Sequence, residues 1–108
     1  MAEILDAASL VAYAQGSVVS RMLVNRDTGS VTVFSFDKGE GLSEHAAPFD
    51  ALVHVLDGEA EITVGGLAHR VKAGQMLLMP HRVPHALKAV ERFKMLLFLA
   101  RVADSAAA

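Results

Sequence analysis

Short apolar segments separated by turns recur along most of this chain, and their spacing constrains the fold more than any other feature. From Ser17 onward the segments are rich in Val, Phe, Thr, Leu and Met, and turn sequences such as NRDTG, KGEG and DG separate them. Many short strands at regular spacing indicate an all-β sandwich or barrel. The predicted strands are SVVSRMLV, SVTVFSF, ALVHVL, AEITV, HRVKA, QMLLM, PHALKAV and FKMLLFLARV.

The two ends of the chain depart from this pattern. Within residues 3–15 apolar residues recur at helical spacing and Gly16 ends the run, which predicts a short N-terminal helix inside residues 1–16. The barrel then occupies about residues 18–101, and residues 103–108 form a flexible tail. Since the sequence contains no internal repeat, we expect one domain over residues 1–108.

Composition argues against several classes of function. The 108 residues carry a net charge of −2 and no run of Lys or Arg, whereas binding to nucleic acid needs a basic surface. The chain has no cysteine, so disulfides and thiolate chemistry are excluded. It lacks both an apolar run of about 18 residues, as a membrane span requires, and a signal peptide. We therefore expect a cytoplasmic protein.

Two of the predicted strands are apolar on both faces. They span residues 51–56 and 95–100, whereas residues 59–64 alternate between polar and apolar side chains. A strand that is apolar on both faces lies inside a two-layer sandwich or at a subunit interface. Because exposing such a strand in so small a domain would create a large apolar patch, we predict a homodimer.

All five histidines lie between residues 45 and 85, in different contexts. His81 and His85 are four residues apart, but a proline precedes each of them, so they do not form a helical zinc motif. His54 lies within an apolar strand. There it is either a hydrogen-bonded core or interface residue or a ligand. His69 is predicted to be exposed. His45 and His85 lie beside turns at strand starts, and they would meet at the mouth of a barrel if those strands are neighbours.

The spacing of glycine, proline and histidine around His45 and His85 resembles the two sequence motifs of the cupin family. The resemblance covers about residues 18–101, and VLDGEAEITVGG and VKAGQMLLMPHRVPHALKAV are similar to segments of small single-domain bacterial cupins. It implies a double-stranded β-helix, or jelly-roll, barrel. The matching positions are Gly39, His45 and Gly58 in the first motif, and Gly74, Pro80 and His85 in the second.

The resemblance also implies a divalent metal inside the barrel, such as iron, zinc, nickel or manganese, held by three histidines and one glutamate. His45 and His85 match two of these ligands, while Ala47 stands at the position of another histidine and Ala51 at that of the glutamate. Asp50, next to Ala51, is the candidate third metal ligand, although strand alternation turns it outward. The other candidates for a third ligand are Glu44, His54 and His81.

The two alanines also predict a roomier and more apolar cavity. If Ala51 faces inward, residues 53 and 55 do so as well, and residues 50 and 54 face outward. Such a cavity suits a small organic ligand that two imidazoles orient. The predicted ligand pocket consists of His45, Ala47, Ala51, Val53, His85, Leu87 and Ala89.

Several functions stay open on the sequence alone. The first is a binding module that holds a small organic ligand between His45 and His85. The second is a metal-dependent enzyme, such as a dioxygenase, isomerase or lyase, acting on a small organic acid. The third is a metal-free enzyme in which one histidine acts as general base. In a further interpretation the metal site has decayed and the barrel is simply packed with side chains.

Overall fold

The fold is built from antiparallel strands, and the computed structural model describes residues 2–103. Within these residues one 3₁₀ turn, Ala7–Ser9, precedes nine strands. The strands are β1 (Val18–Arg26), β2 (Gly29–Phe36), β3 (Gly41–His45), β4 (Phe49–Asp57), β5 (Glu59–Val64), β6 (Leu67–Lys72), β7 (Met76–Met79), β8 (His85–Ala89) and β9 (Phe93–Arg101).

The strands form two sheets. The five-stranded sheet has the order β1-β2-β9-β4-β7, and the four-stranded sheet has the order β3-β8-β5-β6. Only β1-β2 and β5-β6 are neighbours both in sequence and in a sheet, so the other pairings need crossovers between distant segments. This arrangement confirms the predicted all-β jelly-roll barrel. The described part of the chain contains no helix with the length and apolarity of a membrane span.

The core lies between the two sheets and follows from strand alternation. In β4, Ala51, Val53 and Val55 are buried, while Leu52 and His54 are partly exposed on the opposite face. The inward and outward assignments made from the sequence for this strand are therefore confirmed. The core cluster is Phe36, Ala51, Val53, Val55, Ala60, Ile62, Val71, Met79, Leu87, Ala89, Phe93 and Met95.

The N-terminal segment crosses the outer face of the five-stranded sheet, and the predicted N-terminal helix is reduced to the single turn Ala7–Ser9. Side chains of the sheet donate hydrogen bonds to backbone carbonyls of this segment. Ser35 Oγ donates to Ala12 O at 2.8 Å, and Lys94 Nζ donates to Ala8 O at 2.6 Å. Tyr13 Oη donates to Asp57 Oδ2 at 2.5 Å. These contacts outweigh the weak helical preference of so short a segment. Residues 104–108 of the predicted flexible tail lie outside the described residues.

An apolar band crosses the rest of that outer face. One row of paired residues crosses all five strands and carries no charge. Leu78 at the end of this row is 62% exposed. His54 lies in the next row, opposite Met76 and Leu96. The uncharged row consists of Val24, Val31, Phe98, Leu52 and Leu78.

Candidate functional site

His45 and His85 stand directly opposite each other where β3 ends and β8 begins. Their ring centroids are 4.4 Å apart and their ring planes meet at 66°. The sequence placed both histidines at strand starts, and for His85 this is confirmed. His45 instead ends β3, a polar strand that the pattern of apolar residues did not predict. The two rings converge because β3 and β8 are neighbours in the four-stranded sheet.

A bulge in β3 determines which side chain faces His85. Leu42 pairs with Leu87 and His45 pairs with His85, so β3 advances three residues while β8 advances two. One extra residue is thus accommodated in β3 between Leu42 and His45. In a regular ladder Glu44 would stand opposite His85, and the bulge puts His45 there instead.

Each imidazole is oriented by a backbone carbonyl. His45 Nδ1 lies 2.8 Å from Ser43 O, and His85 Nδ1 lies 3.2 Å from Val83 O. Because a carbonyl oxygen only accepts, Nδ1 carries the proton in each ring, and Nε2 is left as the acceptor of the neutral ring. The sequence did not indicate these backbone partners, which fix the tautomer.

Burial favours the neutral form of His85. Its side chain is only 8% exposed, whereas His45 lies nearer to solvent. Burial lowers the pKa of His85 below its ordinary value of 6.5, the hydrogen bond to Val83 O opposes this shift, and the nearby His45 adds to it. His85 is therefore neutral at neutral pH and offers an unprotonated nitrogen.

The two rings close one end of a cavity of about 80 Å³ between the sheets. Of the predicted pocket residues, His45, Ala47, Ala51, His85 and Leu87 line this cavity. The predicted pocket residues Val53 and Ala89 do not line the cavity. They lie two residues beyond Ala51 in β4 and beyond Leu87 in β8, and both are buried in the core. The further lining residues are Leu42, Met79, Met95, Leu97 and Leu99.

Most of these further lining residues come from strands that pair with β4 in the five-stranded sheet. Met79 and Leu99 both lie opposite Ala51, one on β7 and the other on β9. Alternation along residues 95–99 identifies Met95, Leu97 and Leu99 as one face, but it does not identify the strand beside them. The apolar wall of the cavity was missed because it depends on strand pairing over long distances in the chain.

The remaining candidate metal ligands lie away from the two imidazoles. Asp50 Oδ1 accepts hydrogen bonds from the backbone N–H of His81 at 3.0 Å and from His81 Nδ1 at 3.4 Å. His54 lies on the outer face of the five-stranded sheet, and Glu44 is exposed. Residues 2–103 contain no group of three or more His, Cys, Asp or Glu side chains placed to hold a metal ion.

The site therefore does not fit a metal held by protein side chains alone. Zinc sites use three or four protein ligands, and non-haem iron sites use two histidines and a carboxylate. Here His45 and His85 supply two nitrogens, and the neighbouring positions Ala47 and Ala51 supply none. What the cavity offers instead is an apolar wall with two adjacent nitrogen acceptors at one end.

Comparisons with solved structures agree with this fold. A conserved protein of unknown function from Streptococcus pyogenes is 44% identical, with a TM-score of 0.90 over 95% of this chain and 90% of that one. A cupin superfamily protein from Desulfitobacterium hafniense is 31% identical, with a TM-score of 0.88 over 94% of each chain. A Cupin 2 conserved barrel domain protein from Leptotrichia buccalis is 45% identical, with a TM-score of 0.85 over 87% of this chain, which spans 46% of that one.

The comparison with curated proteins gave no match. The cupin domain family model matches residues 32–99, which contain both motifs and all the residues of the cavity. The match, the 44% identical structure and the two-sheet topology agree with one another. The chain therefore belongs to the cupin family.

Proposed function

We propose that the barrel binds one small organic molecule in the cavity that His45 and His85 close. The observation that carries the proposal is the composition of the lining: two adjacent imidazoles at one end and apolar side chains over the rest. Ligand pockets in proteins combine an apolar wall with a few polar groups that fix orientation in this way.

The cavity volume limits the part of the ligand that enters. At about 80 Å³, the space is roughly half that of the cavity of ~150 Å³ that holds a benzene ring in an engineered protein. Such a space admits a small apolar group, such as a short aliphatic chain. Because Nε2 of the neutral His85 imidazole is an acceptor, a ligand with a hydrogen-bond donor at that end, such as a hydroxyl group, would pair with it.

The alternative is a metal-dependent enzyme, such as a dioxygenase, isomerase or lyase, acting on a small organic acid. One observation favours it: both Nδ1–H groups bind backbone carbonyls, as is usual for histidines that ligate a metal through Nε2. Against it stand the alanines at positions 47 and 51 and the hydrogen bonds of Asp50 to His81. Such an enzyme would need water or substrate to complete the coordination of its metal.

Elemental analysis of untagged protein, purified without added metal, separates the two functions. The binding proposal expects far less than one metal ion per chain and no uptake of added iron, zinc, nickel or manganese. About one ion per chain, lost in both His45→Ala and His85→Ala, would establish the metal-dependent alternative instead. Titration with 1-butanol, followed by NMR of the His45 and His85 imidazoles, then tests the cavity directly. Binding should shift both rings, and unshifted rings would contradict the proposal.

We also propose that two chains pair through the outer face of the five-stranded sheet. The uncharged row from Val24 to Leu78 supports this, since a self-complementary apolar face suits a two-fold dimer. Light scattering at micromolar concentration should give twice the chain mass, and Leu78→Glu should give a monomer. Leu67→Glu is the matched control, because Leu67 is 69% exposed but lies on β6 of the other sheet. A monomeric wild type would refute the pairing.

A further inference from the structure

A second cavity, of about 540 Å³, lies at the surface beside the barrel cavity. Ala47 lines both, so the two spaces meet at the connection between β3 and β4. The five lining residues, all within the described part of the chain, carry two positive charges and no negative charge. They are Ala46, Ala47, Pro48, Arg82 and Arg101.

The backbone at Arg82 is unusual. Among residues 2–103 it is the one non-glycine residue with a positive φ, at 65°. It is the third residue of the turn 80–83, in which Val83 N donates to Pro80 O at 3.4 Å. That position of a type II turn favours glycine, because a Cβ is strained there. Residues kept in strained backbone conformations cluster at functional sites, which points to a role for this side chain.

Other contacts hold the backbone of Arg82 and the side chain of Arg101 beside this surface cavity, which we call the arginine cleft. Arg82 N donates to Ala47 O at 2.8 Å, which ties the turn to the connection that both cavities share. Arg101 Nε donates to Asp27 O at 2.8 Å, and its guanidinium lies 4.9 Å from the centre of the Phe49 ring. The Arg101 guanidinium, anchored in this way, loses little entropy when it binds an oxyanion.

We propose that the two arginines bind the oxyanion of a ligand whose apolar chain occupies the barrel cavity. The ligand class is therefore a short-chain amphipathic anion with a terminal carboxylate or phosphate. Guanidinium groups pair with both through parallel N–H···O hydrogen bonds. The inference rests on the proposed function, since it takes the barrel cavity as the apolar half of the same site.

Three probes with the same butyl group separate the contribution of the barrel cavity from that of the two arginines. They are 1-butanol, butyrate and butyl phosphate. They are titrated into the intact protein and followed by NMR of the imidazoles of His45 and His85 and of the Nε–H groups of Arg82 and Arg101. Both anions should shift the arginine signals and bind about tenfold more tightly than 1-butanol, as expected for a hydrogen bond to a charged group. Whichever anion binds more tightly identifies the head group.

Arg82→Gly tests the strained residue. It should remove most of the preference for anions, leave the affinity for 1-butanol unchanged, and raise the melting temperature because glycine relieves the strain. Arg21→Gln is the matched control and should keep the preference for anions. It removes a positive charge from β1, on the outer face of the five-stranded sheet and away from the two arginines. A residue with only a structural role would not couple a gain in stability to a loss of anion binding.

The possible failures are distinguishable. If 1-butanol shifts the imidazoles and neither anion binds more tightly, the arginine site is refuted and the proposed function stands. Inorganic phosphate, titrated in the same way, serves as a fourth probe that lacks the butyl chain. If it shifts the arginine signals while no butyl probe shifts the imidazoles, the cleft binds anions alone and the linked site is refuted. An Arg82→Gly variant that keeps the anion preference would also overturn the inference.

Discussion

Filling the barrel cavity should stabilise the protein and abolish ligand binding at the same time. Ala51 is 2% exposed, lines the cavity, and lies opposite Met79 and Leu99. Ala51→Val adds two methyl groups, whose burial contributes about 1.6 kcal/mol. A similar figure, about 1.9 kcal/mol, follows from the 80 Å³ volume and the measured cost of cavities per unit volume. Some of this is offset by imperfect fit, so we expect a gain of roughly 1 kcal/mol.

Ala60→Val is the matched control for this prediction. Ala60 is fully buried in β5, opposite Val71 and Ala89, and does not line the cavity. The same two methyl groups should overpack the core there and cost about 1–3 kcal/mol. Urea denaturation of both variants measures the difference, and titration with 1-butanol measures binding. The reasoning is refuted if Ala51→Val is destabilised as much as Ala60→Val, or if it still binds the alcohol.

Three further predictions concern the site and its frame. Because burial lowers the pKa of His85, its contribution to stability is present above pH 6.5 and is lost as the pH falls through the folded-state pKa. Its share of the slope is at most ~1.4 kcal/mol per pH unit. Urea denaturation between pH 5 and 8 should show a shallower slope for His85→Asn and the wild-type slope for the exposed control His69→Asn. Gly58→Ala should lower the free energy of unfolding by about 1–3 kcal/mol more than Gly39→Ala. Both glycines have positive φ, but only at Gly58 would a Cβ collide with Arg92 O. Equal melting temperatures of the two variants would contradict this. Tyr13→Phe should cost about 1 kcal/mol by loss of the hydrogen bond to Asp57, and Asp57→Asn should then add little to it in a double-mutant cycle.

Turn sequences and alternation predicted the class of fold because both are local properties. The strand β3 was not predicted, because GLSEH is almost wholly polar and exposed and shows no apolar alternation. At the N-terminal segment, by contrast, the sequence pattern predicted a helix of which only one turn forms. Its helical spacing is real, but the hydrogen bonds that Ser35 and Lys94 donate to its carbonyls come from strands far away in sequence.

The candidate site was predictable to the extent that it depends on single strands. Motif spacing identified His45 and His85, and alternation in β4 identified Ala51 as inward-facing. The apolar wall from β7 and β9 depends on which strands pair, and periodicity carries no information about pairing. The arginine cleft was missed for a related reason, because Arg82 and Arg101 are 19 positions apart in the printed sequence and only the fold brings them to one cavity.

The bulge in β3 has a consequence for the charge of the site. Glu44 and His45 are adjacent, and the extra residue alone decides which of them faces His85. A slip of one residue would exchange the pair of imidazole rings for an acid–base pair, in which a carboxylate would favour protonation of His85. A regular ladder that keeps Leu42 opposite Leu87 would therefore convert one site into the other without any change in the sequence of β3.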